Sequence, residues 1–209
     1  MVTDDEGTAA VRLARRALEA GLTDPPPRDA AAPFRSSELP EVFAEPRGVF
    51  VTLRRHPSGD LRGCIGFPSP VYPLRVAIPR AAHAAAVDDP RFRPVRPGEL
   101  GGVSLEVSIL TIPEVIEARP RRELLHQIEV GRHGLIVGRA GESGLLLPQV
   151  PGEFGWDALE FLAATCEKAG LPPDAWLHLE TTIRRFEAEV FDEESPGGPV
   201  HRVRLARAA

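Results

Sequence analysis

The sequence predicts an α+β protein with a largely antiparallel sheet. Three observations carry this reading. An amphipathic helix opens the chain, a β-hairpin followed by a helix and a further strand comes next, and that hairpin–helix–strand run then occurs a second time in the same order. The two runs occupy about 48–112 and 131–191, with equivalent elements about 80 to 86 residues apart, as expected of an internal duplication.

The opening helix is placed at about Thr3 to Leu22, where Val11, Ala14, Leu18 and Leu22 recur at helical spacing behind an acidic first turn. The segment 24–40, with three consecutive prolines, reads as a linker or surface loop. Gly48–Arg54, a turn at 56–60 and Leu61–Phe67 read as the first hairpin. A helix follows from about Pro73 to Val87, and Pro79 inside it is expected to kink or split it. Val103 to Leu110 alternates apolar and polar residues, the period of a half-buried strand. The second run reads as a hairpin of 135–138 and 145–147, a helix Trp156–Ala169 with Leu159, Leu162 and Cys166 on its apolar stripe, and a closing strand Thr182–Val190. A single domain over about 1–192 is expected, followed by a loose basic tail over 193–209.

Composition narrows the function classes. The net charge is −5, from 25 basic and 30 acidic side chains, whereas a duplex-binding protein shows a basic excess, so nucleic acid is not the expected partner. Arginine abundance, with Lys168 the one lysine, fits the codon usage of a GC-rich genome and is discounted as a functional signal. No apolar run approaches the ~18 residues of a membrane span. The acidic start does not read as a secretory signal. Two cysteines, Cys64 and Cys166, fit free thiols in a reducing cytoplasm, which is the expected location.

The search for chemistry is mostly negative. There is no P-loop, dinucleotide fingerprint, H-E-x-x-H, C-x-x-C or G-x-S-x-G, and no cysteine triplet for an iron–sulfur cluster, so no metal site and no cofactor are expected. The segment Leu61-Arg62-Gly63-Cys64-Ile65-Gly66 stands out. On a strand Arg62 and Cys64 share a face, where the guanidinium is expected to favour the thiolate, and Gly63 and Gly66 are expected to admit a substrate or another backbone. The competing reading makes Cys64 a small buried hydrophobe. Glu106, between Ser104 and Ser108, is a candidate general base or a carboxylate on a solvated sheet face. His133 is a candidate proton shuttle or a plain hairpin-end histidine. Cys166 is read as core. The pairs Arg54-Arg55, Arg121-Arg122 and Arg184-Arg185 are read as solvated surface rather than phosphate contacts.

Taken together, Gly48–Leu53, Leu61–Gly66, Asp89-Pro90-Arg91-Phe92, Leu105–Leu110, Val130–Leu135, Leu147–Val150 and Gly155-Trp156 resemble the AMMECR domain family, over about Val11 to Phe191. Pro79 and the basic tail depart from the family pattern. The resemblance implies a barrel-like sheet built from duplicated strand–helix units. It also implies association with a Memo-type protein and a radical S-adenosylmethionine protein, the latter supplying the cluster motif this chain lacks. Arg62, Cys64, Glu106 and His133 carry over as the family's suspected functional surface. The leading expectation is an accessory or binding component using the Arg62–Cys64 face. The alternatives are an enzyme with Cys64 as nucleophile or redox thiol, Glu106 or His133 as base and Arg62 holding an anion, and a nucleic-acid-associated module. Whether the protein is an enzyme is left open.

Overall fold

The computed structural model describes residues 2–22 and 39–203. They form two compact units, one comprising residues 2–22, 39–110 and 189–203, the other residues 111–188. Both are α+β with antiparallel strand pairing. Among the described residues no helix is long and apolar enough to cross a membrane.

The first unit begins with α1 (Asp4–Gly21). Thr3 and Glu6 form a reciprocal capping box, the Thr3 hydroxyl accepting from the Glu6 N–H at 3.2 Å and Glu6 accepting from the Thr3 N–H at 2.7 Å. A cap of this kind stabilises a helix by about 1 kcal/mol. The buried face carries Ala10, Val11, Ala14, Ala17 and Leu18, as the spacing requires. Strands β1 (Val49–Arg55) and β2 (Leu61–Phe67) form the hairpin, α2 (Leu74–Val87) follows, and β3 (Val103–Leu110) pairs with β1. The order is therefore β2-β1-β3, with α2 crossing between the two outer strands. The alternation expected in β3 is present: Val103, Leu105, Val107 and Ile109 are all buried. Pro79 does not split α2, which continues as one helix with the ring buried in the core.

In the second unit β4 (Glu114–Val115) precedes the hairpin of β5 (His133–Arg139) and β6 (Glu142–Leu146). The hairpin turns on Ala140 and Gly141, both at positive φ, as a tight two-residue loop demands. A short helix, α3 (Val150–Phe154), which the sequence pattern does not indicate, precedes α4 (Ala158–Lys168), which begins at an Asp157–Glu160 capping box. The apolar stripe of α4 is Phe161, Leu162, Thr165 and Cys166; Leu159, expected on that stripe, is 47% exposed. Strand β7 (Thr182–Glu193) begins in this unit and pairs with β5 through residues 182–187.

The two runs share a register. Leu53 of β1 faces Gly63 of β2 and Leu105 of β3; Val137 of β5 faces Gly144 of β6 and Ile183 of β7. Both glycines mark the same packing event. A Cβ on Gly63 would lie 2.1 Å from the Ala85 carbonyl oxygen on α2, and one on Gly144 would lie 2.3 Å from the Ala169 nitrogen at the end of α4. Each helix thus packs directly on strand backbone. By this register the counterpart of Cys64 is Leu145, two residues before the Leu147 that sequence spacing indicates.

The expected tail needs correction. Residues 193–203 are structured: the end of β7 pairs with β8 (Val200–Val203), and Arg202 bonds Asp4 at 2.7 Å and Glu189 at 3.1 Å. Glu193 is 3% exposed and binds Arg15 of α1 through both carboxylate oxygens, while also accepting the Leu105 N–H at 3.1 Å. These charges are paired inside the unit, so charge alone misled the tail assignment. Residues 204–209, and 24–38 of the expected linker, lie outside the described residues.

Candidate functional site

The register of the first unit sets Cys64, Thr52 and Glu106 in one row across β2, β1 and β3. The Thr52 hydroxyl donates to Cys64 Sγ at 3.3 Å, and Arg54 Nη2 reaches Glu106 Oε2 at 3.4 Å. The Glu106 side chain is only 13% exposed, so this is not a solvated sheet face. In the next row Ser108 is buried at 1%.

β2 stands at the end of the strand order, so one side of its backbone has no strand partner. At Cys64 side chains take that place. The Cys64 N–H donates to Asp89 Oδ2 at 2.8 Å, and Arg91 Nη2 donates to the Cys64 carbonyl at 3.3 Å. Arg91 in turn grips Asp89 through Nε at 2.9 Å and Nη2 at 2.7 Å. This bidentate pair, immediately after α2, closes the edge at one residue. Arg91, together with the N–H groups of Cys64 and Arg91, holds the Asp89 carboxyl well below the usual carboxylate range.

The expected role of Arg62 is corrected by this geometry. Its side chain is 5% exposed and turns to Glu99, with Nε and Nη2 each 3.3 Å from carboxylate oxygens. Burial pushes the Cys64 thiol up, opposed by the Thr52 hydrogen bond and by the charge of Arg91, not of Arg62; Glu106 and Asp89 raise it further. Cys64 is therefore a thiol, not a thiolate, at neutral pH. The glycines do not open the face either. Gly63 is occupied by α2, and a Cβ on Gly66 would lie 2.3 Å from the Val49 carbonyl oxygen.

His133 belongs to the second unit, where it opens β5 and is 7% exposed. Its Nδ1 accepts the Glu129 N–H at 2.9 Å. Burial, then the charges of Arg185 and Arg132, lowers its pKa, so the ring is neutral. Cys166 is fully buried, and desolvation raises its thiol pKa as well.

The first unit thus carries Arg62, Gly63, Cys64 and Gly66 on β2 and Glu106 on β3, the two strands that flank β1, and adds Thr52, Asp89, Arg91 and Glu99. Thr52 is not among the sequence candidates, although the hairpin register that sets it opposite Cys64 could have pointed to it. Asp89 and Arg91 stand in the Asp89-Pro90-Arg91-Phe92 motif, but their bonds to a strand edge have no sequence signature. Among the described residues no group of three or more His, Cys, Asp or Glu side chains is placed to hold a metal ion.

The strand order and this row define an α+β protein with a cysteine-bearing edge strand clamped by an Asp–Arg pair. Comparison with known proteins then places it. The sequence model of the AMMECR1 family matches residues 11–191, and the chain belongs to that family. A protein of Thermococcus onnurineus is 54% identical over 208 residues, covering 96% of this chain and 97% of its own. A protein of Pyrococcus abyssi is 53% identical over 211 residues, covering 98% of each. The crystal structure of the uncharacterized protein PH0010 from Pyrococcus horikoshii matches with a TM-score of 0.85 at 51% identity, over 98% of this chain and 99% of that one.

Proposed function

We propose that this AMMECR1-family protein is a binding component that presents the Cys64 row to a partner, working with a Memo-type protein and a radical S-adenosylmethionine protein. The partners come from the family resemblance. The observation that carries the binding role is the clamp on β2: both peptide groups of Cys64 are held by Asp89 and Arg91, while its half-buried thiol accepts a hydrogen bond from Thr52. A rigid surface of this kind suits recognition, because little order has to be gained on association. The test is co-purification of the tagged chain from its native host beside Asp89→Asn and Cys64→Ser. Capture of both partners by the wild type and weaker capture by Asp89→Asn supports the reading. Equal capture by all three, or none by any, rejects it.

A second reading, an enzyme with Cys64 as nucleophile and Glu106 as base, is favoured by one observation. The register sets Cys64 and Glu106 in one row with Thr52 between them, so the thiol and the carboxylate share one face of the sheet. Slower alkylation in Glu106→Gln would support it, and the faster alkylation expected from loss of a neighbouring negative charge alone would reject it.

A further inference from the structure

Beside the Cys64 row lies a groove of about 810 Å³ whose charged lining is Arg55, Arg62, Arg91, Arg93, Arg96 and Glu99. Four of the five arginines are exposed, and exposed arginines alone signify little in this chain. Arg62 is different. It is 4% exposed, and its Nη1 has no hydrogen-bond partner among the described residues. A buried guanidinium with an idle nitrogen is costly to maintain, and most such groups in native proteins are satisfied.

Its one carboxylate partner serves it poorly. All three Arg62–Glu99 contacts are 3.3 Å, longer than the ~2.7–2.9 Å of a good charge-assisted bond. Glu99 is bound more tightly elsewhere, accepting the Arg96 N–H at 2.8 Å, and its side chain is 40% exposed. By contrast the Arg91–Asp89 pair in the same region closes at 2.7 Å. Set against Glu99 and Asp89, the five guanidiniums leave a local excess of three positive charges in a chain whose overall charge is negative.

We propose that this groove binds a phosphorylated small molecule, whose phosphate takes over from the Glu99 carboxylate at Arg62 and is further neutralised by Arg55, Arg93 and Arg96. Glu99 is then an internal stand-in for the ligand anion, displaced when the ligand enters. The depth of Arg62 favours a small ligand over a nucleic-acid backbone, which is read from the surface by exposed side chains. This inference does not depend on the partner proteins proposed above, and it is read out on the isolated chain.

The experiment is calorimetric titration of the full chain with sodium pyrophosphate, with citrate and single-stranded DNA oligomers as parallel arms. One saturable pyrophosphate site is expected. Arg62→Lys keeps the charge but loses the planar fork, and is expected to weaken binding about tenfold. Arg93→Ala, an exposed position, should weaken it about twofold to fivefold. Glu99→Gln removes the competing charge and should tighten it by a similar factor. A merely structural Arg62–Glu99 pair would give no tightening. Absence of a saturable site, unchanged affinity in Glu99→Gln and Arg93→Ala, tighter binding of citrate, or DNA affinity that grows with length and displaces pyrophosphate would each overturn the proposal.

Discussion

The Asp89 carboxylate accepts the peptide N–H of Cys64 at 2.8 Å, so a side chain from the end of α2 stands where a neighbouring strand would be. This contact couples the most distinctive sequence motif of the chain to a second one some twenty-five residues on.

Asp89→Asn keeps the shape but loses the charge that Arg91 requires. A destabilisation of about 1–3 kcal/mol is expected at pH 7, since a buried charge-assisted bond is weakened. The sign of the pH dependence follows from a folded pKa below the unfolded one. The contribution is complete above the unfolded value of about 3.9 and is lost as pH falls from there through the folded value. Urea denaturation at pH 7 and near pH 3 should therefore show the gap between wild type and variant narrowing in acid. A gap that is constant, or wider in acid, would count against the clamp.

Glu193→Ala should be among the most damaging single changes. It leaves Arg15 buried without its counter-charge and frees the Leu105 N–H. The loss should be about 3–5 kcal/mol, with substantial recovery when Arg15→Met is added. Thermal unfolding of the single and double variants checks this. Truncation before β8 should likewise destabilise, because Arg202 bridges Asp4 and Glu189.

Thiol labelling should rank Cys64 above Cys166, as Cys64 is half-buried and Cys166 fully buried. Because the Cys64 thiol is raised, its alkylation rate should climb only as pH passes above the ordinary thiol range. Arg91→Ala should move that midpoint up, and Arg62→Ala should leave it nearly in place. Mass-spectrometric rate measurements on folded protein separate the two; a midpoint that follows Arg62 would mean the strand face is arranged differently.

Gly63→Ala and Gly144→Ala should both destabilise by about 1–3 kcal/mol, since each added methyl meets helix backbone rather than a movable side chain. Gly98→Ala, where nothing lies within 4 Å, is the control and should be close to neutral. Chemical denaturation of the three variants gives the comparison; tolerance at one of the paired positions alone would break the equivalence of the two runs.

How much was legible depended on range. The β3 alternation and the α1 spacing follow from local periodicity, and both were read to within a residue or two. Leu159 lies off the buried stripe because that stripe is centred on Phe161, Leu162, Thr165 and Cys166, so a position three residues before Leu162 falls at its edge. β8 escapes a local reading because Arg202 looks solvated until Asp4 and Glu189 are brought to it by the fold. At the site, strand alternation puts Arg62 and Cys64 on one face, but the β1–β2 register shifts at Arg62, which has no partner on β1, and its guanidinium turns to Glu99. Nor could alternation say that an arginine twenty-seven residues after Cys64 would bond the Cys64 carbonyl. Contacts of that kind are fixed by tertiary packing and leave no local pattern.

The pairing of Arg15 with Glu193 also bears on how the chain is made. Among the described residues the second unit is a continuous stretch, while the first needs residues 189–203 to satisfy a charge buried near its beginning. During vectorial synthesis the middle of the chain therefore has all its residues before the start does. A ribosome-bound chain ending at Leu110 holds a guanidinium waiting for a carboxylate not yet translated, which reverses the N-terminal-first order usual for multi-unit proteins.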